Sequence, residues 1–297
     1  MKKPKISVII PVYNEKEHIT KTVDSLKNQD FEQEIEIVVF DDCSTDKTYE
    51  IVKSCRGIRV FRNEKKLGPA KTRNNAIKKA SAEILAFIDA DCVAQEKWLK
   101  NIYSEFQNPE IKVIVGKVKI PPSTYLGNCI SALGFPGGGS IGFENMWHVS
   151  KDGFTNHITS CNFASRKKVF EKYGLFDESF PFPGGEDPEL SYRWNKKGVK
   201  IKYWPKMIVA HRTRKNFYSF VKWMFKRGRS NYYFKNKVGK IGNFITLRIW
   251  SSKNIIRKFI FDPKIFLIVP LLFMSFVLQQ LGYFYEAARH IKKSSSK

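Results

Sequence analysis

The 297-residue sequence predicts an α/β fold: a mostly parallel sheet with helices on both faces. Two observations carry this. Short apolar runs alternate with helical periods through the N-terminal two-thirds, and polar residues gather where the apolar runs end. Near-continuous apolar strands between helices belong to sheets buried on both sides. Ligands of such sheets bind beyond the carboxyl ends of the strands.

The elements follow in order. Ile6-Ser7-Val8-Ile9-Ile10 reads as a first strand, closed by Tyr13-Asn14-Glu15. Residues 17–28 read as a helix, with Ile19, Val23 and Leu26 on one face. A second strand covers residues 35–40 and runs into Asp41-Asp42. A helix at 46–54, a short strand at 58–61 and a helix at 69–80 lead to a buried strand, Ile84-Leu85-Ala86-Phe87-Ile88. That strand ends at Asp89-Ala90-Asp91. Residues 121–156 contain Pro121-Pro122 and Pro136-Gly137-Gly138-Gly139, which predicts a mobile loop or lid. Residues 158–210 read as folded again.

The composition narrows the class. There are 52 Lys and Arg against 28 Asp and Glu, a net charge of +24, which points to an anionic partner. Nucleic acid, a membrane surface and phosphorylated substrates all qualify. Five cysteines, with no C-x-x-C pair, argue against a zinc site or a disulfide framework and fit a reducing cytosol. The run at residues 6–12 lacks the apolar length and cleavage site of a signal peptide.

The carboxyl-terminal third differs. Residues 212–261 carry 14 Lys or Arg and no Asp or Glu, interleaved with aromatics that include Trp223, Tyr232, Phe244 and Trp250. Residues 265–285 are then uncharged. A helix of about 20 residues spans roughly 30 Å, the hydrocarbon thickness of a bilayer. Tyr283-Phe284-Tyr285 would sit at one interface. Pro270, Gln279, Gln280 and Gly282 leave a re-entrant or interfacial helix open as the alternative.

The chemistry centres on the strand ends. In extended chain, Asp89 and Asp91 point to one side and repel unless a cation lies between them. Hard oxygen ligands suit Mg²⁺ or Mn²⁺, which can bridge diphosphate oxygens and neutralise a departing nucleotide. Asp42 can accept the ring N–H of uracil or guanine, although Ser44, Thr45 or Asp46 at the same place would serve to cap the next helix.

Taken together, Ser7 to Glu15, Val39-Phe40-Asp41-Asp42-Cys43-Ser44-Thr45-Asp46, Gly68, Arg73-Asn74, Phe87-Ile88-Asp89-Ala90-Asp91, Phe176-Asp177-Glu178, Glu186-Asp187 and Arg193 resemble a family 2 glycosyltransferase of the GT-A fold. The likeness runs from residue 6 to residue 211 in consistent order. It implies a catalytic domain at 1–211, with a nucleotide-sugar half near 1–118 and an acceptor half near 119–211. A basic region at 212–262 and a transmembrane or membrane-associated helix and tail at 263–297 would follow. It implies that Pro11, Tyr13, Asn14, Glu15, Asp42, Arg73 and Asp89 hold the nucleotide. Asp91 would bind Mn²⁺ or Mg²⁺, with Asp89 as second ligand or ordering group. His211 would complete the metal site, and Glu186-Asp187 would supply the base.

Inverting transfer needs a carboxylate to take the proton of the acceptor hydroxyl. Phe182 to Pro188 reads as a flexible loop entering a helix, with Asp187 as its N-cap and Pro188 as its first residue. Such a cap would favour the charged form and weaken Asp187 as a base, which keeps Glu186 in play. Two features depart from processive members of the family. There is no Gln-x-x-Arg-Trp segment, and only one membrane candidate. Both point to transfer of one sugar to a lipid-linked or cell-surface glycan acceptor, with the catalytic domain on the cytosolic side of an anionic membrane. Two other classes compete. A nucleic-acid binder would use the basic-aromatic stretch but leaves the ordered carboxylates unexplained. A nucleotidyltransferase-like domain leaves Glu186-Asp187 unexplained.

Overall fold

The computed structural model describes residues 3–239 and 242–294, which leaves out Met1, Lys2, Lys240, Ile241 and the last three residues of the tail. The side chain of Phe244, one of the interleaved aromatics, also lies outside the described part. The first half runs β1 (Ile6–Val12), α1 (Ile19–Lys27), β2 (Ile35–Asp41), α2 (Thr48–Ser54), β3 (Arg59–Arg62), α3 (Pro69–Lys79), β4 (Ile84–Ile88), β5 (Cys92–Ala94), α4 (Trp98–Glu105) and β6 (Val113–Lys119). The second half runs α5 (Tyr125–Ser131), β7 (Phe154–Thr155), β8 (Asn162–Arg166), α6 (Lys167–Tyr173), α7 (Glu186–Lys196), β9 (Ile201–His211), α8 (Phe217–Val238), α9 (Gly242–Phe259) and α10 (Ile265–Ser294).

Nine strands form one sheet in the order β3-β2-β1-β4-β8-β6-β9-β5, with β7 on β9. The first four strands are parallel, and β8 then inserts antiparallel between β4 and β6. Alternation along the strands splits the core between two faces. Ile9, Val38, Leu85 and Phe87 point to one face, and Val8, Ile10, Val39 and Ala86 to the other. On the second face, α1, α2 and α4 cover the sheet through Val23, Val52 and Leu99. The first face takes α3, α6 and α7 through Ile77, Phe170 and Trp194. Phe220 of α8, Ile255 of α9, and Ile268 and Leu271 of α10 join the same cluster, so the C-terminal helices share a core with the sheet.

Residues 121–156 are packed, which corrects the expectation of a mobile lid. Thr124 caps α5 by accepting from the Gly127 amide at 3.1 Å. Leu133, Ile141, Phe143 and Met146 behind it are buried. The glycines serve close approach. A Cβ on Gly137, whose φ is +55°, would stand 2.2 Å from Val118 Cγ2, and one on Gly138 would strike the backbone of Gly142. Glycine density read as mobility was a sign of tight folding.

The carboxyl-terminal helix has a similar explanation. α8 and α10 cross where a Cβ on Gly282 would meet the Phe225 carbonyl at 2.1 Å, and one on Gly228 the Gln279 carbonyl at 2.1 Å. Both glycines are needed for this crossing. Beside it, Arg229 pairs with the buried Glu286 and Tyr233 donates to the same carboxylate. One stripe of α10 (Ile268, Leu271, Ser275, Gln279, Gly282, Glu286) faces protein. The opposite stripe is apolar and open, with Phe266, Phe273, Phe276 and Phe284 at 84%, 71%, 61% and 63% exposure.

Candidate active site

The loops after β1 and β2 are laced together. Asn14, at φ +54°, accepts from the Thr45 amide at 2.8 Å, and its own amide donates to Ser44 Oγ at 3.0 Å. The Glu15 amide donates to Thr48 Oγ1 at 2.9 Å. Asp46 accepts from the Thr48 amide at 2.9 Å, so it serves the start of α2 and frees Asp42 from that duty. Buried Asp42 accepts from Asn63 Nδ2, the Leu67 amide and the Gly68 amide at 2.7–2.9 Å. A carboxylate has about four lone-pair sites, so one stays open. Lys66 Nζ lies 3.4 Å from the Tyr13 ring centroid. Pro11 is a strand residue opposite Phe40, placed where β1 has passed beyond its pairing with β4. Its missing N–H is tolerated there.

Asp89-Ala90-Asp91 is a turn between β4 and β5, closed by the Cys92 amide on the Asp89 carbonyl at 3.1 Å. The alternation rule for extended chain therefore does not apply, and the two carboxylates have separate partners. Asp89 pairs with Arg73 Nη2 at 3.0 Å. Arg73, 3% exposed, pairs through Nη1 with Glu186 at 2.9 Å. Asp91 stands beside His211, because the β5–β9 register sets Cys92 opposite His211. Arg212 Nε holds Asp91 Oδ2 at 2.8 Å and Arg212 Nη2 holds Glu15 at 3.0 Å.

These surroundings set the charges. Burial, then the charge of Asp91, holds the Asp89 carboxyl above the usual carboxylate range. Burial also pushes Asp91 up, but His211 and Arg212 outweigh it and hold this carboxyl low. Burial and Asp91 push Glu15 up to about 7, against Arg212.

The donor set at Asp91 fits a divalent cation. Asp91, Cys92 and His211 offer ligand atoms within 4.8 Å of one another. His211 Nδ1 lies 3.0 Å from the Arg212 carbonyl, and its Nε2 lies 3.4 Å from Asp91 Oδ1. With Nδ1–H donating to that carbonyl, Nε2 would be free to ligate a cation beside Asp91. The Cys92 thiol is held well above its usual pKa by burial and by its hydrogen bond with Cys161, so it is protonated and a poor ligand. Asp89 is not part of this cluster.

A cleft of about 390 Å³ runs from Asp89 and His211 to Asp187. Glu186 and Asp187 are the first residues of α7, with Gly185 as its N-cap, which corrects the expectation of an Asp187 cap. Glu186 is buried and fully engaged: besides Arg73 it accepts from the Gly184 and Gly185 amides at 2.7 and 3.0 Å. It does the capping by folding back. Among the described residues the Asp187 carboxylate accepts one hydrogen bond, from the Ser160 amide at 3.3 Å, and it lines the cleft. Burial and the neighbouring Glu186 push its carboxyl up to about 7. The helix terminus is outweighed, and the group can take a proton near neutrality.

Residues 7–174, more than half of the chain, match the model for glycosyl transferase family 2. The chain belongs to this family. Its similarity to "Dolichyl N-acetyl-alpha-D-glucosaminyl phosphate 3-beta-D-2,3-diacetamido-2,3-dideoxy-beta-D-glucuronosyltransferase" of Methanococcus voltae is 29% identity, over 73% of this chain and 70% of the relative. Glycosyltransferase AglE of Haloferax volcanii is 27% identical over 76% and 72%. Among solved structures, the Pyrobaculum calidifontis mannosyltransferase PcManGT in complex with GDP-Man and Mn²⁺ superposes with TM-score 0.65 at 17% identity, covering 94% of this chain and 88% of that one. Staphylococcus aureus TarS 1–349 in complex with UDP-GlcNAc gives 0.58 at 20% identity, covering 97% and 92%. These likenesses show the GT-A fold, and the protein is a glycosyltransferase.

In this family 2 glycosyltransferase, the cleft also gathers further basic and aromatic residues. Arg214, Lys222, Lys226 and Arg227 line it, with Trp147, His157, Trp223 and Arg248. Burial and Arg227 drive His157 down to about 3, so the imidazole stacked on Trp147 at 4.4 Å is neutral. The one available signal was the absence of any Asp or Glu from residues 212–261.

Proposed function

We propose that this enzyme transfers one sugar, with inversion, from a UDP- or GDP-sugar to a lipid-linked or other surface glycan acceptor. The observation that carries the reading is the unequal pair on α7. Glu186 is locked to Arg73 and two amides, while Asp187 keeps its lone pairs toward the cleft. Asp187 is the base in this reading. It takes the acceptor hydroxyl proton as that oxygen attacks the anomeric carbon, and the bond to the nucleotide diphosphate breaks on the opposite side. Tyr13, Asn14, Glu15 and Asp42, with Pro11 behind them, form the nucleotide wall. Arg73 positions Asp89 and Glu186, and Asp89 orders the donor. Asp91 and His211 would hold Mn²⁺ or Mg²⁺, which supplies positive charge for the departing diphosphate. Arg212 and Arg214 add to it. An imidazole in the set suits Mn²⁺ better than Mg²⁺. The Mn²⁺ in the complex of PcManGT supports this choice.

The named acceptor chemistry of the relatives supports a lipid-linked or glycan acceptor here. So does α10, whose open aromatic stripe we assign to the membrane interface. Its other stripe, with Ser275, Gln279 and Glu286, is closed by α8, and a lone span would turn these groups toward lipid. The helix therefore lies along the membrane surface, with the basic α8 toward anionic headgroups and the catalytic domain on the cytosolic side, where nucleotide sugars are.

The test is turnover of a panel of UDP- and GDP-sugars by the full chain with Mn²⁺, with and without membrane extract as acceptor source. Slow donor hydrolysis, acceleration by extract and loss of both in Asp91→Ala are expected. No turnover of any donor would sink the reading.

A further inference from the structure

The transfer reaction leaves two cations of the cleft without a role. Arg227 of α8 and Arg248 of α9 both pack on one ring, with their guanidinium carbons 4.1 and 4.9 Å from the Phe135 centroid. Neither has a carboxylate at ion-pair distance or a side-chain hydrogen bond among the described residues, and Arg227 Nε is buried with no partner. This sets them apart from Arg73, Arg212 and Arg229, each of which holds a carboxylate. Packing on an aromatic ring satisfies the guanidinium face but not its five N–H donors. Two guanidiniums on one ring also repel each other, and burial with mutual repulsion lowers Arg248 to about 10. Such an arrangement is stable when an anion sits between the forks. The acidic groups whose charge acts on Arg227 are Asp187 and Glu186, and Glu186 is already paired with Arg73.

We propose that Arg227 and Arg248 form a phosphate subsite for the acceptor, beside Asp187, so that the substrate is a phosphorylated alcohol, either a polyol phosphate or a lipid phosphate. The word acceptor rests on the transferase reading above. The planar forks suit phosphate oxygens. A dianion matches the local excess of charge, to which Lys222 and Lys226 add. The subsite differs from the diphosphate region, where Arg212 is tied to Asp91 and Glu15. Phosphate bound there would hold the acceptor hydroxyl near the Asp187 carboxylate, so the subsite would set which alcohol is glycosylated.

The experiment titrates the full chain, in detergent with Mn²⁺ and saturating UDP or GDP, with glycerol 3-phosphate, farnesyl phosphate and glycerol. Trp147 and Trp223 fluorescence reports binding. Saturable binding of both phosphates but not of glycerol is expected. Arg227→Gln and Arg248→Gln should each weaken it at least tenfold with nucleotide affinity unchanged, and Arg227→Lys should recover part of the loss. Equal affinity for the two phosphates assigns a soluble polyol phosphate, and tighter farnesyl phosphate a lipid-borne one. Absence of phosphate binding, binding that both Gln variants leave within twofold, or binding that nucleotide abolishes overturns the proposal. The titration is repeated without nucleotide. A chain that takes up neither UDP nor GDP but binds phosphate through Arg227 contradicts the transferase reading and upholds the subsite.

Discussion

The two ends of the cleft treat charge differently. At the donor end, nearly every ionised side chain has a protein partner: Asp89 has Arg73, Asp91 has Arg212 and His211, Glu15 has Arg212, and Asp42 has three N–H donors. At the proposed acceptor end, Arg227 and Arg248 have no carboxylate at ion-pair distance among the described residues, and the Asp187 carboxylate has one amide donor. Matched charges fix loop geometry, and unmatched charges mark where substrate completes the site. The contrast explains why recognisable motifs cluster at the donor end. A self-satisfied network needs particular residues at particular spacings, whereas a surface completed by a ligand needs only charge of the right sign.

The largest expected effect is on stability, at the bridge between the two ends. Arg73→Met would leave Glu186 and Asp89 facing each other without countercharge. Breaking such a buried pair costs roughly 3–5 kcal/mol. Chemical denaturation measures it, and a loss below about 1 kcal/mol would show that the bridge is incidental. Next comes the cation site. Asp91→Asn should lower transfer by about 10²–10³ and weaken Mn²⁺ in a metal titration, with the fold kept.

A smaller effect separates function from stability at Asp187. Its carboxyl is raised to about 7 by burial and Glu186, so ionisation is harder in the folded chain than in the unfolded one. The penalty is absent below the unfolded value, grows as pH rises and is fully present above about 7. Asp187→Asn should therefore stabilise the protein at pH 8 by roughly 1–3 kcal/mol, and the gain should vanish near pH 4. Thermal melts at the two pH values decide this. A wild-type transfer rate that drops about tenfold per unit below pH 7 would agree. The smallest effect on the enzyme itself is predicted at α10. Phe273→Glu with Phe276→Glu should release the protein from anionic vesicles in flotation while changing stability by no more than about 0.5 kcal/mol. Retention on vesicles would argue against an interfacial stripe.

Much of this was legible in the sequence, and the reasons are local. Strands β1, β2 and β4 announced themselves because each is largely apolar on both faces. The polar triplets at their ends lay where a parallel sheet puts ligands. The antiparallel β8 was not legible, because the order of strands depends on long-range pairing. Glycines 137 to 139 misled, since glycine permits both mobility and close packing and only the neighbours decide. The cap assignment at Asp187 failed by two positions, because α7 starts at Glu186, which folds back onto two amides. Which of the 14 basic residues would lack a carboxylate partner could not be read from the sequence, since pairing is a property of the fold.

The central claim is that Asp187 does the chemistry and Glu186 holds the frame. Single-turnover transfer by Asp187→Asn and Glu186→Gln, with donor affinity and melting temperature measured alongside, tests it most directly. Asp187→Asn should lose about 10²–10⁴ in rate with donor affinity and fold intact, while Glu186→Gln melts lower, keeps transfer and moves the pH profile toward acid, because the charge that helps raise Asp187 is gone. An Asp187→Asn enzyme within threefold of wild type, beside a well-folded Glu186→Gln enzyme with no transfer, would contradict the account and make Glu186 the base.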